Sequence, residues 1–408
     1  MPGRVRRRLS MQIVNARIYG TDHVFHEGML TIENGFFKEI RYLSGPASSG
    51  AQSGIQKGQE VVDAAGCYVL PGLIDIHFHG CMGKDFCDGT MDAFRTLAKY
   101  EAMQGVTAIC PATLTLPAET LCHVLSGAKA FSKETPAPGE APRADLIGVN
   151  MEGPFISREK KGAQNEAYIR ACDSELCLDF VKASGGLVKL IGLAPEANPG
   201  FEKYIAAVKD LVHVSLAHTN SDYETARRAF RAGACHAVHL YNAMPEMTHR
   251  NPGVVGAVFD SPHVMVELIC DGNHVHPAVV RSTFAMLGAE RIVLISDSLR
   301  ATGLGDGLID LGGQAVQVEG TRATLVDGGN LAGSVTCLTD CLRIAVKEMG
   351  VPLCDAVRCA SENPARAIGE DRLYGTIEAG KKGNLLLLKE DLSTAAVFKD
   401  GVCILNRL

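Results

Sequence analysis

The residues best suited to chemistry in this 408-residue chain begin with His77 and His79, which close the apolar run YVLPGLIDIHFHG (68–80). In an extended strand alternate side chains share a face, so two imidazoles at i and i+2 can both address one ion while Phe78 turns away into packing. Alone, the pair equally suits two histidines in a loop after a buried strand. Further runs end in the same way. Glu152 falls in LIGVNMEGPF (146–155), His218 in HVSLAHTN (213–220), His239 in ACHAVHLYNAM (234–244), Asp271 with His274 in VMVELICDGNH (264–274), and Asp297 in RIVLISDS (291–298). Each has a structural explanation taken singly: Glu152 or Asp297 could cap a following segment, and His218 and His239 could be satisfied core histidines. Their shared position at the C-terminal ends of apolar runs points to a metal site. Imidazoles with carboxylates and no cysteine suit a divalent ion such as zinc, iron, cobalt or manganese. Such an ion lowers the pKa of bound water towards about 7, and a neighbouring carboxylate can carry the proton to a leaving group, so the chemistry implied is hydrolysis. His23, His26, His123, His213 and His263 lack this placement and are read as packing or surface residues.

The elements that must position these groups alternate along the middle of the chain. With VTAICPATLT (106–115) and LVKLIGLAPE (187–196) there are eight β-like runs, separated by amphipathic stretches such as MDAFRTLAKYEAMQG, SDYETARRAFRAGA and PAVVRSTFAMLGAE. Each stretch is long enough for a right-handed crossover between parallel strands. The pattern predicts an α/β chain with a (β/α)8 TIM-like barrel over 68–370, a doubly wound open sheet being the alternative. In such a barrel the run ends converge on one mouth. Short strands with tight turns from Met11, and again from about Leu373, predict a small β-sandwich domain formed by both termini, 11–67 and 371–408. Residues 1–10 carry Arg4, Arg6, Arg7 and Arg8 and read as a disordered arm or alternative start rather than a transit peptide. The Gly/Ser/Gln-rich stretch 44–58 reads as a flexible surface loop.

Composition narrows the function classes. A 46% hydrophobic content supports a large core, and a net charge of −6 supplies no global field for nucleic acid or an anionic membrane. No apolar run reaches the roughly 20 residues of a membrane span. Fourteen cysteines without a C-x-x-C pair read as reduced thiols of a cytoplasmic protein. ATGLGDG (301–307) lacks the third glycine of a dinucleotide cradle and reads as a mobile loop beside the site. CLTDC (337–341) reads as buried small residues on one helix face.

From Met11 onward the motifs PGLIDIHFHG, MEGPF, LAHTNSDYETA, HLYNAM, CDGNHVHP, ISDS, NLAGS and ENPARAIG…YGTIEAGKKGNLLLL resemble the amidohydrolase superfamily and, within it, the N-acetylglucosamine-6-phosphate deacetylase family. His-x-His and the tail mark only the superfamily, whereas MEGP followed by KGA, HLYNAM followed by Arg250, and DGNH are more specific in combination. The resemblance implies removal of the acetyl group from N-acetylglucosamine 6-phosphate, with Glu152, His218 and His239 as the main metal ligands and Asp297 as the catalytic acid/base. It assigns Ala163, Gln164, Asn242, Ala243, Arg250, His274, Leu331, Ala332 and Gly333 to the sugar phosphate. Some members replace the first two histidines and hold one metal; this chain keeps His77 and His79, so the implied cofactor is one or two divalent ions with Glu152 able to bridge them. The family's matching arginine reaches the phosphate from a neighbouring subunit, which implies a homodimer. Two departures stand out. Gln164 occupies a position where many members have a histidine, and its amide can donate a hydrogen bond but carry no proton charge. Asn384 stands where superfamily tails often have Asp. The alternatives are a hydantoinase-like or dihydroorotase-like amidohydrolase, whose strand-end lysine is replaced here by Glu152, or a non-catalytic barrel that binds partners.

Overall fold

The computed structural model of the protein describes residues 10–43, 60–137 and 139–408. The expected arm therefore lies outside the described residues except for Ser10, which opens the strand Ser10–Tyr19 instead of ending the arm; the expected loop at 44–58 lies outside them entirely.

The middle of the chain is the predicted barrel. Its parallel strands are, in order, Leu73–Asp75, Val106–Ile109, Val149–Phe155, Val188–Leu193, His213–Leu216, His236–Ala237, Met265–Ile269 and Ile292–Ile295. Consecutive strands pair in parallel around the ring, the second reaching the third through short extensions at Ala112–Thr113 and Asp145–Leu146. The ring closes where Asp297 N–H donates to His77 O at 2.9 Å and Gly80 N–H to Ser298 O at 3.0 Å. Inside it, Ile74, Ile76, Ala108, Leu190, Ile269, Val293 and Ile295 pack into a cluster that continues onto Ala365, Ala367 and Ile368. Burial on both faces of these strands explains why their runs are continuous rather than alternating.

The helices carry the expected local signals. Met91–Met103 is capped by Thr90, whose hydroxyl accepts Ala93 N–H at 3.2 Å, and buries Phe94, Leu97, Ala98 and Ala102 at helical spacing. Asp222 caps Tyr223–Ala232 in the same manner, and Pro277 opens Pro277–Leu287.

Both termini build one eight-stranded sheet in the order Val402–Asn406, Thr394–Lys399, Leu385–Leu388, Tyr68–Pro71, Ser10–Tyr19, Phe25–Glu33, Phe36–Tyr42, with Glu60–Asp63 beside Ser10–Tyr19. Its hairpins turn on Asn34-Gly35 and Asp400-Gly401, all four residues having the positive φ that such two-residue turns require. Tyr68–Pro71 leaves the apolar run 68–80 to pair with this sheet, so one run serves both domains. Leu385–Leu388 is buried on both faces: Leu385 and Leu387 enter the core of the small domain, Leu386 and Leu388 that of the barrel. The expected strand from Leu373 begins only at Leu385, because the glycine-punctuated stretch 375–383 forms turns with a single bridge, Lys382 to Phe36. An unanticipated meander, Gly307–Leu311, Gln314–Glu319 and Arg322–Leu325, follows the eighth strand and packs Leu311, Val316 and Val318 against Leu114 and Leu299. Among the described residues no helix is long and apolar enough to cross a membrane.

Candidate active site

The barrel brings the strand-end residues to one place. Glu152 lies within the third strand, and His77 and His79, His218, His239 and Asp297 follow the first, fifth, sixth and eighth. His218, His239 and Asp297 have φ of 44°, 28° and 51°, a left-handed backbone that costs non-glycine residues energy and is typical of functional sites. Two groups of three form within 4.8 Å: Glu152 with His218 and His239, and His77 with His79 and Asp297. All six side chains are buried.

The protonation states follow from the partners. His218 Nδ1 lies 2.8 Å from Lys160 O and His239 Nδ1 lies 3.0 Å from Asn242 O. A carbonyl only accepts, so both Nδ1 atoms carry hydrogen, and Nε2 is the nitrogen each ring has left for a ligand. Those two Nε2 atoms are 3.2 Å apart, and each is 2.9 or 3.0 Å from the same Glu152 Oε1. Three potential ligand atoms thus converge on one another, an arrangement that a cation satisfies. On the other side, His77 Nδ1 is held at 2.7 Å by Glu267, while its Nε2 faces Glu152 Oε1 at 3.4 Å and Asp297 Oδ1 at 3.7 Å without a hydrogen-bond partner. His79 Nε2 stands 3.4 Å from Asp297 Oδ1 and 3.5 Å from Glu152 Oε2. The donor set fits one or two divalent ions.

Electrostatics agree with that fit. Burial pushes the carboxyls of Asp297 and Glu152 up, but contact with His79 and the charges of His77 and His79 hold Asp297 below its ordinary value, and positive charge and a hydrogen bond at His218, with hydrogen bonds from His239 and His77, hold Glu152 well below. Burial also disfavours charge on His77, yet Glu267 and Glu152 raise it well above the usual imidazole range. A field that favours positive charge at these rings also favours a metal cation among them.

Over the two groups opens a cavity of about 400 Å³. Of the residues expected to meet substrate, Ala163, Gln164, Asn242, Ala243, His274, Leu331, Ala332 and Gly333 all line it. Gly333, at φ 59°, brings its segment so close to Asp297 O that an added Cβ would lie 2.9 Å from that oxygen and 2.7 Å from Leu299. Gln164 is pinned: its Oε1 accepts Thr115 N–H at 2.6 Å and its amide donates to Glu152 Oε2. Arg250 is exposed, meets His249 Nε2 at 2.7 Å and does not line this cavity. Asp271 joins neither group of three; it accepts the N–H groups of Asn273 and His274 and holds His274 Nδ1 at 2.8 Å, turning the ring towards the cavity. Glu267, Asn150, His236 and the cavity-lining Lys160 were not anticipated. A lone glutamate inside VMVELIC was the available signal for the first, since a carboxylate in a buried strand needs partners.

The Amidohydrolase family model matches residues 68–404. A Bacillus subtilis (strain 168) N-acetylglucosamine-6-phosphate deacetylase is 34% identical over 335 residues, 82% of this chain and 83% of that protein. An Escherichia coli O157:H7 N-acetylgalactosamine-6-phosphate deacetylase is 34% identical over 82% of this chain and 86% of its own. The Mycobacterium smegmatis N-acetyl-D-glucosamine-6-phosphate deacetylase, solved as a mutant in complex with N-acetyl-D-glucosamine-6-phosphate, superposes with a TM-score of 0.86 at 28% identity, covering 98% of this chain and all of that one. With the converging ligand groups at the barrel mouth, these matches establish that the chain belongs to the amidohydrolase family.

Proposed function

We propose that this chain is a metal-dependent hydrolase that removes the acetyl group of N-acetylglucosamine 6-phosphate, giving glucosamine 6-phosphate and acetate. The observation that carries the reading is the convergence of three potential ligand atoms at Glu152, His218 and His239 with Asp297 beside them at the floor of a cavity of about 400 Å³; the 34% identity to a deacetylase of this substrate supports it. One or two ions of zinc, iron, cobalt or manganese, held by Glu152, His218 and His239 and by His77 and His79, would activate water and polarise the acetamide carbonyl when bound.

The chain's own residues supply the rest. Asp297, ionised and within 3.4 Å of His79 Nε2, is placed to take the proton of the attacking water and return it to the departing amine nitrogen. Gln164, held by Thr115 and Glu152, keeps the carboxylate oriented and presents an amide edge to the cavity. His274, oriented by Asp271, and the segments 242–243 and 331–333 position the sugar phosphate. Arg250, exposed and outside the cavity of its own chain, is assigned to the phosphate of a partner copy in a homodimer. Fourteen free cysteines support a reducing, cytoplasmic setting.

The equal identity to an N-acetylgalactosamine-6-phosphate deacetylase favours the C4 epimer as a second substrate reading. The test is acetate and free-amine release by metal-replete protein from N-acetylglucosamine 6-phosphate, N-acetylgalactosamine 6-phosphate and unphosphorylated N-acetylglucosamine. Preference for the first supports the proposal, preference for the second assigns the epimer, and release from none of them overturns deacetylation.

A further inference from the structure

Glu267 is completely buried on the seventh strand and is absent from the cavity wall, so it touches no substrate. A carboxylate offers about four acceptor sites, and this one meets four donors. Oε2 takes the Nδ1–H of His77 at 2.7 Å and the backbone N–H of His239 at 3.2 Å; Oε1 takes His236 Nε2 at 3.0 Å and Asn150 Nδ2 at 3.2 Å. Asn150 also donates to Ile76 O at 3.1 Å, next to His77 in the chain. One side chain therefore ties the seventh strand to the first, third and sixth across the barrel interior, where the surrounding positions are Ile74, Ile76, Ile269, Val293 and Ile295. An apolar side chain would fill such a position without the desolvation that a buried charge costs.

What the carboxylate does is specific to the ligand groups. By holding hydrogen on His77 Nδ1 it leaves the Nε2 lone pair facing Glu152 and Asp297, and by holding the backbone of His239 it touches the second group of three at the same time. We propose that Glu267 is the positioning residue shared by both ligand groups, setting the tautomer of His77 and the backbone of His239 so that the two sets face the same ion or ion pair. This rests on the metal-dependent reading above, and it concerns metal affinity rather than contact with substrate.

The test is metal retention, read without substrate. Glu267→Gln keeps the volume but sets an amide N–H against two of the four donors. Wild-type and variant holoproteins are equilibrated with graded dipicolinate, metal content is measured in the folded fraction, and thermal melting of the metal-free forms is recorded in parallel. The expected result is a 10- to 100-fold weaker hold on metal in Glu267→Gln, the scale associated with partners that orient metal-bound imidazoles. His236→Ala, which removes one donor and leaves the carboxylate, is expected to shift the same curve in the same direction by less. A lowered melting point with an unchanged chelator curve would make Glu267 merely structural and overturn the proposal. Should Glu267→Gln fail to fold, an unchanged curve in His236→Ala overturns it instead. Weakened retention in a protein that deacetylates nothing would sink the deacetylase reading while leaving this one standing.

Discussion

Two charge clusters in this molecule are both built around carboxylates and end differently. Where the barrel meets the terminal sheet, the fully buried Lys399 reaches Asp145 Oδ2 at 2.9 Å and Asp400 Oδ2 at 2.7 Å, Lys382 meets Asp400 Oδ1 at 3.1 Å, and Tyr374 donates to Asp145 at 2.9 Å. Two ammonium groups face two carboxylates, and the cluster is neutralised by its own residues. At the mouth, the ion-pair partners of Glu152, Asp297 and Glu267 are histidines, joined only by the neutral amides of Gln164 and Asn150 and the backbone N–H of His239; no lysine or arginine is ion-paired to them among the described residues, and Lys160 Nζ is spent on Met244 O at 3.1 Å. Burial makes charge expensive at Lys399 as it does at the mouth. A cluster closed by lysine holds a fold together, whereas one whose ligand atoms converge without such a closing cation is arranged for a cation from outside.

The sharpest way to break that contrast is at Asp297. Asp297→Asn removes the proposed proton carrier and leaves Glu152, His218 and His239 intact, so metal content should persist while kcat falls on the order of 10²-fold or more, the scale of a lost acid/base group. Steady-state kinetics at saturating substrate with metal analysis of the same sample decides it. Near-normal turnover would remove Asp297 from the chemistry. The companion change, His77→Ala with His79→Ala, should lower metal content by about one ion per chain if the mouth holds two; an unchanged count would leave Glu152, His218 and His239 as the whole site, with His77 and His79 acting through hydrogen bonds.

The mouth was legible in the sequence because a barrel converts position along a strand into position in space. Histidines and carboxylates at the ends of apolar runs could be read as neighbours before any distance was known, and eight such runs give the barrel. The meander at 307–325 was less visible, since its hairpin signal at Gly312-Gly313 sits in a glycine-rich stretch that also reads as a loop. Glu267 was hidden for the opposite reason: it lies mid-strand, and sequence order does not reveal that four donors from three other strands point at it. Asp271 ends a run as a ligand would, but a carboxylate two and three residues before free N–H groups caps its own turn.

The junction predicts a different phenotype. Lys399→Met keeps the length and apolar body of the side chain but leaves Asp145 and Asp400 without their buried partner. Breaking a fully buried pair costs about 3–5 kcal/mol in general; because both carboxylates are about one-third exposed and Lys382 stays 3.1 Å from Asp400, the loss here should be smaller, about 2 kcal/mol. Denaturant unfolding measures it, and kcat, KM and metal content of the folded protein should stay within about twofold of wild type, inside the usual context-dependence of such effects. A variant of wild-type stability that loses metal would show that the two clusters are one system and erase the contrast.

Arg250 gives the smallest expected effect and extends the comparison to charge at the surface. An exposed arginine beside a histidine normally contributes little to stability, since solvent screens it. Its planar fork nevertheless suits a phosphate dianion, and the cavity of its own chain lies out of its lining. Arg250→Ala should therefore leave melting unchanged and raise KM for the 6-phosphate sugar by about 1.5–3 kcal/mol, roughly ten- to a hundredfold, with a much smaller change for the unphosphorylated sugar. Equal losses on both sugars would remove Arg250 from phosphate binding. If two copies share each site, mixing Arg250→Ala chains with Asp297→Asn chains should regenerate one competent site per mixed dimer, because one chain keeps Asp297 and its partner keeps Arg250. Recovery of activity after verified subunit exchange places the arginine in trans; no recovery places it in the site of its own chain, reached by movement of the loop at 245–251.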